Sequence, residues 1–168
     1  MTYGHPALGT GALAPERLAE ANINPETGLA TDYLNHFNEV VMLLEMLPDM
    51  PDCVEDVLAW RPLDYVSHFE QSHFSEKQLA VLAYRAAPAA LRGRLAAVVA
   101  RIDAAVGDAQ ARLVNAEDLP AVSAEVAGKG VSVIRPLVAE AGAIIHGHVD
   151  HLDGDETKSQ AAIDLLFA

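Results

Sequence analysis

The sequence predicts an all-α protein: an antiparallel helical bundle of about four main helices, with short accessory helices and flexible termini. Three observations carry this. The chain is rich in Ala and Leu and only 5% aromatic, a composition that suits helices better than sheets. Leu91, Leu95, Val98, Ile102, Val106, Ala109 and Leu113 keep a three-four spacing over about seven turns of helix. No strand-like alternation bounded by hairpin turns occurs anywhere.

Taken in order, residues 1–30 are rich in Gly, Pro and Ala and hold no sustained period. They read as a flexible N-terminal arm, with a short turn of helix opened by Pro15. The helical bundle is expected over residues 31–152. Thr31 is a suitable N-cap and Asp32 suits a first turn. The helix they open should run to Leu47 and stop before Pro48. Leu34, Phe37, Val41 and Leu44 form its stripe, broadened by Val40, Leu43 and Leu47, as in a deeply packed helix. Pro48 and Pro51 bracket a tight connection to a short helix over 52–60, ended by Pro62.

Leu63, Val66 and Phe69 fit one more short stripe. Ser75 with Gln78 matches a capping box and opens a helix to about Ala87. The long pattern then runs over 89–115. Residues 117–130 read as a break with one helical turn. The last body helix is expected over 131–150, with Val133, Leu137, Ile144 and Ile145 facing the core. Residues 153–168 form a linker and a C-terminal docking peptide.

At 168 residues the chain suits one compact domain. Its formal net charge is −13, from 11 basic and 24 acidic residues. Nucleic acid and anionic membrane are therefore poor partners, and cations or proteins are better ones. The single cysteine, Cys53, excludes an internal disulfide. Its place beside Val54, Val57 and Leu58 suits a buried thiol. No basic region precedes an apolar run at the start, and no stretch reaches the roughly 20 apolar residues of a spanning helix. A soluble cytoplasmic protein is expected.

Little points to catalysis. No Gly-x-Ser-x-Gly and no phosphate-binding glycine loop occurs. The role expected is therefore non-enzymatic, with no cofactor. Seven histidines open an alternative, a helical bundle that binds a divalent metal. His36 with Glu39, and His68 with Glu70 and His73, are near in sequence. His148 and His151, at i and i+3, share a helical face and are the candidate metal ligands. Trp60 is expected to close one end of the core, with its indole N–H seeking an acceptor.

The end of the chain carries the most specific pattern. After the acidic break Asp153-Gly-Asp-Glu156, Ile163, Leu166 and Phe167 fall on one stripe of a short helix. About ten residues make no stable isolated helix in water, so such a segment docks on its own body or in a partner's groove. Ser159-Gln-Ala-Ala-Ile-Asp-Leu-Leu166 resembles the peptide of the flagellar switch protein FliM that binds the receiver-domain protein CheY. It differs at Ala162, where that peptide is usually acidic. The acidic, Leu- and Phe-bearing end is also similar in kind to the C-terminal peptide of the phosphatase CheZ. The resemblance covers the tail alone. It implies a receiver-domain partner in chemotaxis or two-component signalling, contacted by Gln160, Ile163, Asp164, Leu166 and Phe167. A third reading is a structural protein that self-associates through this tail as a homodimer.

Overall fold

The computed structural model describes residues 7–148. Among them the only regular structure is helical. A short helix α1 (Pro15–Glu20) precedes α2 (Leu34–Met46). Then come α3 (Val54–Ala59), α4 (Tyr65–Gln71), α5 (Lys77–Ala86) and the long α6 (Ala89–Val114). The chain turns back through α7 (Leu119–Lys129), a single π turn at Gly130–Ile134, and α8 (Arg135–Ile145). The described residues form the predicted all-α antiparallel bundle.

Side-chain pairings fix the directions. Arg112 pairs with Glu125 and Arg101 with Glu140, so the α7–α8 rod runs antiparallel to α6. Gly130 lies against Leu44, and Gly142 against Leu34, so α2 is antiparallel to the same rod. The core between these elements is aliphatic. Val40, Val41 and Leu44 of α2 meet Ile102 and Val106 of α6, and Ile134, Leu137, Ile144 and Ile145 of the rod. All are buried, each large side chain contributing about 1.5–3 kcal/mol of transfer free energy. No helix among the described residues is long and apolar enough to cross a membrane.

Several elements depart from their sequence-based expectation. From residue 7 on, the expected flexible arm is packed: Leu13, Leu18, Ile23 and Leu29 are all within 1% of full burial. The segment is held by turns instead of by a long helix. Asn22 adopts φ 64°, which Asn tolerates. The Asn24 side chain accepts from the backbone N–H groups of Glu26 and Thr27. Gly28 has φ +76°, and a Cβ there would stand 2.8 Å from the Ala83 carbonyl oxygen. Only glycine fits that approach. The buried Thr27 hydroxyl donates to the Ile145 carbonyl at 2.7 Å, tying the segment to the end of α8.

Caps differ as well. Thr31 starts a 3₁₀ turn and makes no capping bond. The Ser75–Gln78 box does not form; α5 starts at Lys77 with Glu76 before it and no side-chain cap. The working caps are Asp64, which accepts from Ser67 N at 2.7 Å, and Asp118, which accepts from Ala121 N at 3.1 Å. Asp118 with Pro120 in the first turn opens α7, so the stretch expected as a break is an eleven-residue helix. The π turn that follows takes up an extra residue per turn. Ile134 therefore points inward, while Val133 is 43% exposed instead of facing the core.

Candidate functional site

The described residues contain seven Phe, Tyr and Trp side chains, and all seven gather at one end. The reason is local. Arg61-Pro62 stops α3, and residues 60–64 run without regular structure into α4. An irregular strand of chain has no helical partners for its carbonyls, and buried carbonyls need donors. Side chains supply them. The Tyr33 hydroxyl donates to Leu63 O at 2.8 Å. The Gln110 amide donates to both Val57 O and Trp60 O at 2.9 Å. The Arg61 carbonyl accepts from His36 Nε2 at 2.7 Å. The expected acceptor for Trp60 is the His36 carbonyl, 3.0 Å from the indole nitrogen.

Rings then stack around this frame. Tyr65 lies face to face with Tyr84, centroids 4.5 Å apart, and leans on Phe69 at 4.8 Å. Tyr33 meets Phe37 edge-on at 5.1 Å. His36 stacks on Trp60 at 4.6 Å. The Tyr65 hydroxyl accepts from Ala30 N at 2.8 Å, so this cluster also clamps the N-terminal segment.

Two histidines sit at the edge. His68 Nε2 is 3.0 Å from Asp32 Oδ2. Its ring centroid lies 6.4 Å from that of His36. Burial pulls His36 below its ordinary value, against the opposing effect of the Arg61 carbonyl. Both rings are held by structural bonds. No group of three or more His, Cys, Asp or Glu among the described residues is placed to hold a metal ion. His146 and His148 follow the end of α8 with rings 6.2 Å apart. His151, the other half of the candidate metal pair, lies outside the described residues. So do the docking residues Gln160, Ile163, Asp164, Leu166 and Phe167. Cys53 is buried, as expected.

Beside the aromatic cluster lies a cavity of about 350 Å³, walled by Tyr33, Tyr65, Tyr84, Leu95, Val99 and Asp103. One carboxylate oxygen of Asp103, Oδ1, is occluded and has no hydrogen-bond partner; no other side-chain atom among the described residues shares that condition. Burial pushes the Asp103 carboxyl above its ordinary value. Burial also pushes Tyr33 and Tyr65 well above theirs, and for Tyr33 the nearby Asp103 and Asp64 add to it. Both phenols are thus neutral at any physiological pH. At the far end Arg92 donates from Nε to Ala87 O at 3.2 Å and lies 5.8 Å from the Tyr84 ring centroid.

Sequence reasoning missed Asp103. A signal was present: it stands four residues after Val99 and one after Ile102, on the flank of the apolar stripe of α6. A carboxylate there must be half-buried. Comparison of the chain with protein-family models, curated proteins and solved structures returns no match.

Proposed function

We propose that the protein is a non-enzymatic signalling adaptor that engages a CheY-like receiver domain through its C-terminal peptide. The observation that carries this reading is the sequence Ser159-Gln-Ala-Ala-Ile-Asp-Leu-Leu-Phe167, with Ile163, Leu166 and Phe167 as apolar anchors and Gln160 and Asp164 as polar contacts. It is supported by the helical body, whose core from Leu13 to Ile145 is assembled among its own elements. That body can serve as a carrier for a docking segment. The net charge of −13 favours a partner face with basic residues.

The test is calorimetric titration into CheY-like receivers, with and without a phosphoryl mimic. The Lys158–Ala168 peptide, the full chain and a chain ending at residue 152 are compared. Micromolar binding that needs the tail and responds to the mimic is expected. No binding to any receiver, with tail removal lowering the melting temperature instead, would make the tail part of the core and remove this function.

A further inference from the structure

We propose that the cavity beside α6 is a binding site for a small organic cation, an amine with an apolar or aromatic body, and that Asp103 is its counter-ion. The site is independent of the C-terminal docking peptide.

The wall is built for a compact apolar group. Leu95, Val99 and the rings of Tyr33, Tyr65 and Tyr84 supply most of it, and about 350 Å³ lies at the small end of ligand pockets. Asp103 borders it, and that carboxylate carries an occluded oxygen, Oδ1, without a hydrogen-bond partner. An ionised carboxylate is acceptor-only, so a buried oxygen without a donor is costly. A cationic ligand with N–H donors, seated in the cavity beside this carboxylate, offsets its charge and can bond it with charge assistance. A neutral alcohol supplies the donor without the charge, and an anion adds repulsion.

Other charges agree in sign. Asp64 also borders the cavity, and the chain as a whole carries −13, a field that concentrates cations. The one opposing group, Arg92, stands eleven residues earlier on the same helix, about 16 Å along its axis. Its guanidinium is already engaged by Ala87 O and the Tyr84 ring. Two of the wall's rings are fixed in place by their hydroxyls: Tyr33 donates to Leu63 O, and Tyr65 accepts from Ala30 N.

The experiment is calorimetric titration of the full chain at neutral pH with benzylamine and phenethylamine. Benzyl alcohol and phenylacetate serve as neutral and anionic counterparts. Two variants accompany it. Asp103→Asn keeps the shape and removes the charge. Ala100→Phe, at an exposed position bordering the cavity, fills the mouth without touching the core. The amines should bind at least about tenfold tighter than the alcohol, a difference of about 1.4 kcal/mol. Each variant should weaken amine binding by at least about tenfold, with an unchanged helical spectrum. Should Asp103→Asn fail to fold, Ala100→Phe decides alone. Equal affinity for amine and alcohol would overturn the proposal. So would preference for the anion, unaltered binding in a folded variant, or no amine binding at millimolar concentration.

Discussion

The aromatic end and the rod end of this molecule keep their shape by different means. Around α6, α7 and α8 the chain is almost wholly helical, and the backbone satisfies itself through its own ladder. Side chains there need only fill volume, so small and aliphatic residues suffice, and charged pairs stay outside. Around Trp60 to Tyr65 the backbone is irregular, and its polar groups depend on side chains distant in sequence. Tyr33, Tyr65, Gln110 and His36 each supply a hydrogen bond to or from that backbone or the N-terminal segment. The contrast accounts for why all seven Phe, Tyr and Trp side chains among the described residues stand at one end. A tyrosine or tryptophan fills a core and still offers a polar atom at its rim; a leucine cannot.

The largest effect expected from this contrast is at Phe37, fully buried where α2 enters the aromatic cluster. Phe37→Ala should cost about 3–5 kcal/mol in denaturant unfolding, as a large side chain lost from a filled core. A cost near that of a surface change would mean that the cluster is loosely packed.

Tyr65→Phe is sharper, since it removes a single oxygen. It leaves the Ala30 N–H buried and unpartnered, which costs about 1–3 kcal/mol. Hydrogen exchange should show the amide of Ala30 and those of its neighbours losing protection first. An unchanged melting temperature would show that the rim oxygen does not hold the N-terminal segment.

Asp103, on the border between the two ends, should behave in the opposite sense. Burial raises its native value, so the fold favours the protonated carboxyl. That preference is complete below the ordinary aspartate value of about 4, and is lost as pH rises through the raised native value. Asp103→Asn should therefore stabilise the ligand-free protein at neutral pH, and the gain should fade on acidification below that range. Paired melting curves across pH check this, and a stability loss at neutral pH would contradict it.

The smallest effect is expected on the rod. Arg112 pairs with Glu125 in the open, both side chains more than a third exposed. Each shifts the other's titration, Arg112 upward and Glu125 downward, through their hydrogen bonds. Solvent screens such pairs, and Arg112→Gln should leave the unfolding midpoint where it was. A clear loss would show that the rods rely on charge as well as volume.

What was legible in the sequence divides along the same line. Spacing alone places Leu91, Leu95, Val98, Ile102, Val106, Ala109 and Leu113 on one face of α6, and all are buried except Leu91 at its start, which is half-buried. On α2 and its end, Leu34, Phe37, Val40, Val41, Leu44 and Leu47 are likewise buried, while Leu43 of the same expected stripe is half-buried. Periodicity works where a helix is long and one face is dry. The N-terminal segment escaped because Leu13, Leu18, Ile23 and Leu29 are five or six residues apart, a spacing set by turns. The helix α7 escaped because it buries little more than Ser123 and Val126. The bonds that hold the aromatic end join residues 24 to 53 positions apart, and no local pattern records them. Of the candidate site, the role of Trp60 was foreseen, while the cavity at Asp103 was not.

The π turn at Gly130–Ile134 has a consequence for how this chain can vary. An α-helix advances about 100° per residue, so one residue taken up in a wider turn changes the phase of everything after it. The stripes of α7 and α8 are thus two keys cut at different angles on one shaft. Gly130, where the angle changes, faces Leu44 of α2. Deleting one residue from this turn would give a plainer helix and a worse protein, with Leu137, Ala141 and Ile144 rotated out of the core. The irregularity acts as a spacer that sets the chain's reading frame in space.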